Sequence, residues 1–170
     1  RGQEGRALIL SGSCSVATRK QVAHYSDKHP AFELTAETIL DATHTVESVC
    51  NWIFEQTAAP LVFTTADPAV VRAAQGEFGQ DFIATKIESF FGELAVESVN
   101  RGIKKIICAG GETSGAVVTA LGVRTMEIGP EIAPGVPALK DADRDLVLAL
   151  KSGNFGSERF FEEALGVLGQ

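Results

Sequence analysis

The sequence contains no Gly-x-x-x-x-Gly-Lys-Ser/Thr and no Gly-x-Gly-x-x-Gly after an apolar strand, so neither a P-loop ATPase nor a standard Rossmann dehydrogenase is expected. Its three cysteines, Cys14, Cys50 and Cys108, lie far apart and form no Cys-x-x-Cys pair. That spacing argues against a disulfide framework or a zinc site and leaves free thiols in a reducing compartment. His24, His29 and His44 have no metal-ligand spacing either, and they read as surface or packing residues. No apolar run approaches the roughly 20 residues of a membrane span, and no signal peptide opens the chain. Clusters of Lys and Arg are also missing, and the net charge is −7. A phosphate polymer needs a basic surface, so no nucleic-acid partner is expected. These absences together predict a soluble, cytoplasmic protein with no membrane partner.

What is present suits one domain: 170 residues, of which 45% are hydrophobic. The chain opens Arg1-Gly2-Gln3-Glu4-Gly5 without an initiator Met, its only Met being Met126. The expectation is a linker remnant over residues 1–5 and a domain over 6–170, taken from a longer polypeptide and carrying half of a divided active site.

Strand and helix signals alternate from end to end, the pattern of an α/β layer fold with a largely parallel sheet. Ala7 to Leu10 reads as the first strand, with a helix then running to about Asp27. Phe32 to Leu34 is a short second strand. Thr43 or Thr45 can cap a helix whose Val46, Val49, Cys50, Ile53 and Phe54 share one face. Leu61 to Thr64 is the next buried strand, and Asp67-Pro68 opens a helix. Ile83, Ile87, Phe90, Phe91 and Leu94 mark an amphipathic helix that stops near Gly102. Beyond Lys104 to Ala109, a short apolar burst, Val117, Ala120 and Leu121 recur at helical spacing from Ser114 onward. Arg124 to Ile128 and the Pro/Gly-punctuated stretch from Gly129 to Pro137 come next. Two strand-like runs follow, Val136 to Leu139 and Leu146 to Leu150, joined by a tight turn at Asp141-Ala142-Asp143 that makes the sheet mixed at this end. The last helix begins near Ser157 and buries Phe160, Phe161, Ala164, Leu165 and Leu168.

Three segments share one design. Ser11-Gly12-Ser13-Cys14-Ser15, Gly110-Gly111-Glu112-Thr113-Ser114-Gly115 and Lys151-Ser152-Gly153-Asn154-Phe155-Gly156 each follow an apolar strand, precede a helix and are rich in small residues. In an open α/β sheet, loops leaving the carboxyl ends of strands line the ligand crevice. In the second segment glycines let the backbone approach a ligand, and Thr113 and Ser114 can cap a helix whose positive end then faces a phosphate. Small residues also simply permit tight turns, a reading that any single loop leaves open. Lys151 offers a cation.

In their order and spacing, Leu10-Ser11-Gly12-Ser13-Cys14-Ser15, Ala109-Gly110-Gly111-Glu112-Thr113-Ser114-Gly115-Ala116-Val117 and Leu150-Lys151-Ser152-Gly153-Asn154-Phe155-Gly156 closely resemble the C-terminal nucleotide-binding domain of the four-carbon acid sugar kinases. That family includes 3-oxo-tetronate, threonate and erythronate 4-kinases, and the resemblance runs from Arg6 to about Leu168. It implies a three-layer α/β/α domain with a mixed, mostly parallel sheet that binds ATP with Mg2+. Nucleotide-binding positions carry over onto Ser11, with Ser13 a close competitor, and onto Gly110, Gly111, Glu112, Thr113 and Gly153. Ser114 and Lys151 are further phosphate contacts to test. Glu112 either reaches Mg2+ through water or complements the helix N-terminus. Family members carry an N-terminal domain that holds the sugar acid and is thought to supply the catalytic base. The resemblance therefore implies that the intact enzyme phosphorylates the terminal hydroxyl of a four-carbon sugar acid and that residues 1–170 alone bind ATP or ADP without turnover. The sequence leaves the acceptor open, and the oligomeric state too, a homo-oligomer included.

Two other readings compete. Cys14 lies at a strand-to-helix turn where a thiol pKa can fall, but a tyrosine-phosphatase-like loop needs Arg six positions on, where Lys20 stands. The other is a non-catalytic regulatory domain that senses a small anion or sugar phosphate.

Overall fold

A computed structural model describes residues 5–64, 72, 73, 76 and 79–169. In chain order its elements are β1 (Arg6–Ser11), α1 (Val16–Ser26), β2 (Ala31–Glu33), α2 (Ala36–Leu40), α3 (Val46–Glu55), β3 (Leu61–Phe63), α4 (Gln80–Asn100), β4 (Ile103–Ala109), α5 (Gly111–Leu121), β5 (Met126–Ala133), β6 (Val136–Asp141), β7 (Val147–Lys151) and α6 (Phe160–Leu168). The seven strands form one sheet in the order β2-β3-β1-β4-β7-β6-β5. From β2 to β7 all pairings are parallel, and β6 and β5 add antiparallel strands at one edge. This is the mixed, mostly parallel sheet that the alternating signals predict.

Central strands read as unbroken apolar runs because both of their faces are covered. Leu8 and Leu10 of β1, Ile106 and Cys108 of β4 and Leu148 of β7 point to one face, where α3, α4 and α5 add Val49, Ile53, Phe91, Leu94 and Val117. Ile9, Ile107 and Ala149 point to the other, against Val22 and Tyr25 of α1 and Phe160, Phe161 and Ala164 of α6. The period of two along each strand thus builds the three layers.

Several boundaries differ from the sequence expectation. Thr45, not Thr43, caps α3, with Ser48 completing a capping box. α5 starts at Gly111, not at Ser114, so neither Thr113 nor Ser114 is its cap. Gly110 at φ +113° makes the turn, and no side chain caps the helix. β5 runs through Gly129 and Pro130, which the sequence reading treats as punctuation. Pro is tolerated there because β5 is an edge strand with register shifts on either side of Glu131. Ser157 precedes α6 by a turn, and Leu165 is only partly buried. The short helix α2 escapes a reading based on apolar periodicity. The expected helix start at Asp67-Pro68 lies outside the described residues. No helix among the described residues is long and apolar enough to cross a membrane.

Candidate functional site

β1 and β4 lie side by side at the centre of the sheet, yet they lead to opposite faces. β1 runs into α1, which packs with Tyr25 and Val22 on one face, while β4 runs into α5, which packs with Val117 and Leu121 on the other. Such a divergence opens a crevice outside the carboxyl ends of the strands, where open α/β sheets bind ligands. β7, on the far side of β4, sends its chain back to the α1 face through α6. The turn after β4 is therefore flanked by the loops after β1 and β7.

Hydrogen bonds tie the three together. Gly12 N–H donates to Ala109 O at 3.0 Å, and Gly110 N–H donates to Lys151 O at 2.9 Å. Ser13 stands at the meeting point. Its backbone nitrogen is 3.2 Å from where a Cβ on Gly110 would lie, and its Oγ is 2.7 Å from where a Cβ on Gly153 would lie. Gly110, held at a left-handed φ and facing Ser13, admits no larger residue without displacing this junction. Of the two competing serines, Ser11 is fully buried at the end of β1, while half-buried Ser13 reaches the surface of the crevice.

α5 presents its N-terminus here. Ser114 N–H donates to Gly110 O at 2.9 Å, closing the first helical turn. The N–H groups of Gly111, Glu112 and Thr113 precede that bond and receive no side-chain cap. Gly111 and Glu112 are exposed, and a Cβ on Gly111 would meet nothing within 4 Å. The Thr113 hydroxyl turns inward, occupying the space a Cβ on Gly12 would need, so it locks two loops together and offers a ligand only its backbone. Ser114 shares the inward stripe of Val117 and Leu121; its Oγ is buried, with no hydrogen-bond partner among the described residues.

Lys151 departs most from the sequence reading. It is 1% exposed and lies beneath the third loop, not displayed to solvent. Its Nζ donates to Thr18 Oγ1 at 3.0 Å, Gly153 O at 3.1 Å and Ser152 O at 3.2 Å, and it lies 5.8 Å from the centroid of the Phe160 ring. An ammonium has three N–H donors, so all are engaged within the protein. Burial pulls its pKa down from 10.5 to about 8. Its hydrogen bonds shape the third loop.

Two residues of α1 that sequence reasoning missed complete the assembly. Thr18 donates to Gly153 O at 2.9 Å, alongside Ser15 Oγ at 2.5 Å. Gln21 Nε2 donates to Phe155 O at 3.0 Å and to Ser157 O at 2.9 Å. Both are fully buried polar residues at positions i and i+3 of the inward stripe that continues to Val22 and Tyr25. Polar side chains at core positions were the available signal. Ser15 also caps α1 by accepting from Thr18 N–H at 3.2 Å. Ser15→Ala removes this cap and one tether of the Gly153 loop, with an expected loss of about 1–2 kcal/mol of stability, to be read from the urea midpoint at unchanged slope.

Glu112 borders a groove of about 590 Å3 between α4 and α5, which also contains Glu88, Glu93 and Gly92. No group of three or more His, Cys, Asp or Glu side chains among the described residues is placed to hold a metal ion.

Residues 8–161 match the family model for a nucleotide-binding C-terminal domain. The chain is 44% identical over 167 residues to the 3-oxo-tetronate kinase of Actinobacillus succinogenes, covering 96% of this chain and 40% of that protein. It is 43% identical over 170 residues to the 3-oxo-tetronate kinase of Brucella melitensis, covering 98% and 39%. A crystal structure of a Haemophilus influenzae protein superposes with a TM-score of 0.94 at 43% identity, over 98% of this chain and 41% of that one. The chain thus spans about two-fifths of the length of the curated relatives it matches. It belongs to the family of nucleotide-binding C-terminal domains, that of the four-carbon acid sugar kinases.

Proposed function

We propose that this chain binds ATP at the crevice between β1, β4 and β7 and forms the nucleotide half of a kinase acting on the 4-hydroxyl of a four-carbon sugar acid. Within that class, 3-oxo-tetronate is the first acceptor to test, ahead of threonate and erythronate, because the relatives carry its name. The observation that supports this best is the uncapped N-terminus of α5 at the point where β1 and β4 diverge. Backbone N–H groups and the positive helix end suit the phosphates of a nucleotide in a protein whose net charge is otherwise −7. Gly111 to Thr113 would hold the phosphates through their backbone N–H groups, with Gly110 making the turn that exposes them and Ser13 and Gly153 closing over them.

Mg2+ is commonly held by one or two carboxylates together with substrate phosphates, so a single acid at the mouth is compatible with it. Exposed Glu112, in the first turn of α5, would be that acid if it reaches the ion through water; its other role is to complement the helix N-terminus. The ion would offset the triphosphate charge. Chemistry of this kind depends on positioning and charge neutralisation and not on a covalent protein intermediate. We assign the acceptor and the base to residues outside this chain, which spans about two-fifths of the length of the curated relatives.

Isothermal titration of the 170-residue chain with ATP and ADP, each with and without Mg2+, tests the reading. Saturable 1:1 binding of either nucleotide is expected, together with no phosphorylation of 3-oxo-tetronate, threonate or erythronate. Absence of nucleotide affinity, or sugar-acid turnover by this chain alone, overturns it.

A further inference from the structure

A phosphate cradle alone does not distinguish a nucleotide from any other polyphosphate; recognition of a base needs an apolar face within reach of the cradle. Four large hydrophobic side chains are exposed among the described residues: Val16, Phe82, Ile128 and Phe155. Of these, Phe155 is the aromatic that lies in a loop of the crevice, two residues beyond Gly153, and 44% of it is exposed.

Its exposure is not that of a loose side chain. The Phe155 N–H donates to Ser152 O at 3.3 Å, and its carbonyl accepts the Gln21 amide at 3.0 Å. Cε1 of the ring lies 3.0 Å from where a Cβ on Gly135 would stand, in the turn between β5 and β6. Gly135 is held in turn by donating its N–H to Glu131 Oε1 at 3.0 Å. One edge of the ring thus rests on a glycine that no larger residue could replace without moving it, while 44% of the residue stays open to solvent. Gln21 is a fully buried amide on an otherwise packing face, and its two N–H donors both fix the loop that carries this ring. Val16, 58% exposed, adds apolar surface next to Ser15, the residue that binds Gly153 O.

We propose that Phe155 is the base platform of the site, on which the nucleobase stacks when the phosphates lie at the N-terminus of α5. This rests on the nucleotide reading above and adds to it a side chain that selects nucleosides over plain polyphosphates. Stacking of a base on an aromatic ring is worth about 1–3 kcal/mol, so the low end corresponds to roughly 5-fold in affinity.

The test compares ATP with inorganic tripolyphosphate, which carries the same phosphate chain without a nucleoside, by calorimetry on the 170-residue chain. Phe155→Ala is expected to weaken ATP at least 5-fold and leave tripolyphosphate unchanged. Phe155→Trp is expected to keep ATP binding and to show indole fluorescence quenched by ATP and not by tripolyphosphate, relative to the parent chain with Trp52 alone. Unchanged ATP affinity in Phe155→Ala, or equal losses for the two ligands, overturns the platform while leaving the nucleotide reading intact. A parent chain that binds tripolyphosphate as tightly as ATP also overturns it. If the parent chain binds no nucleotide at all, the nucleotide reading itself fails, and the platform with it.

Discussion

Gly111→Val is expected to lower nucleotide affinity by about 100-fold or more while the domain stays folded. Gly111 is the first residue of α5, and no positive φ is required there. A Cβ built on it meets no atom within 4 Å, so the protein itself has room for a side chain. Valine in a helix is slightly more favourable than glycine, and the unfolded chain loses some freedom, so thermal stability should hold or rise by a few tenths of a kcal/mol. The cost falls on the ligand. Cα–Cβ bonds tilt toward the N-terminus of a helix, which projects the isopropyl group over the free N–H groups of the first turn. A phosphate that must come within about 2.9 Å of those nitrogens then meets two methyl groups. Gly110→Val would not serve as this test. Gly110 holds φ +113°, and its Cβ would stand 3.2 Å from Ser13 N, so loss of binding could not be separated from a damaged junction. The measurement is calorimetric titration with ATP alongside a thermal melt. Wild-type affinity in a folded Gly111→Val chain would place the phosphates elsewhere.

That glycine, with its neighbours, was legible in the sequence because the physics behind it is local. An apolar run followed by two glycines and a helical pattern yields a strand, a tight turn and an open helix end wherever it occurs. The runs Ala7 to Leu10, Lys104 to Ala109 and Leu146 to Leu150 likewise announced strands, and they became the neighbours β1, β4 and β7; the hairpin reading of Leu146 to Leu150 gave its antiparallel pairing with β6 but not its parallel pairing with β4. What the sequence did not carry was the direction of polar side chains. Thr113 has the chemistry of a cap, but Gly110 already makes the turn, and the Thr113 hydroxyl fills the hollow over Gly12 instead. Thr18 and Gln21 lie on the inward stripe of α1 because their partners are carbonyls of a loop more than 130 residues away, contacts that exist only after β1 and β7 flank β4. Periodicity of apolar residues passes over such positions. Pro130 in β5 was tolerated for a similarly non-local reason, since only the sheet order makes that strand an edge.

Lys151 is the other case in which tertiary context decides, and it gives the second large effect. Its ammonium is buried, three neutral oxygens accept from it, and the aromatic ring nearby is Phe160. Burial lowers its pKa from 10.5 to about 8. Below pH 8 both the folded and the unfolded chain carry the proton, and the cost of burying the charge is borne in full. Between about 8 and 10.5 the unfolded chain holds a proton that the folded chain has released, so stability contributed by this site rises with pH through that window. Above it both forms are neutral and the gain levels off. Lys151→Met is expected to flatten that rise, because the titrating group is gone. Binding should respond in the opposite direction. An anion on the α5 N-terminus would supply a counter-charge to a lysine whose hydrogen-bond partners among the described residues are neutral oxygens. At an effective dielectric near 20, a charge pair about 8–16 Å apart is worth on the order of 1–2 kcal/mol, so ATP affinity should fall roughly 5- to 30-fold in Lys151→Met. In the parent chain the same affinity should decline as pH rises through about 8, where the lysine loses its proton, and Lys151→Met should lack this decline. Urea melts and ATP titrations from about pH 7 to 10 on both proteins measure the two opposed trends. Parallel pH profiles for parent and Lys151→Met would mean that this buried lysine supports the loop without lending its charge to the ligand.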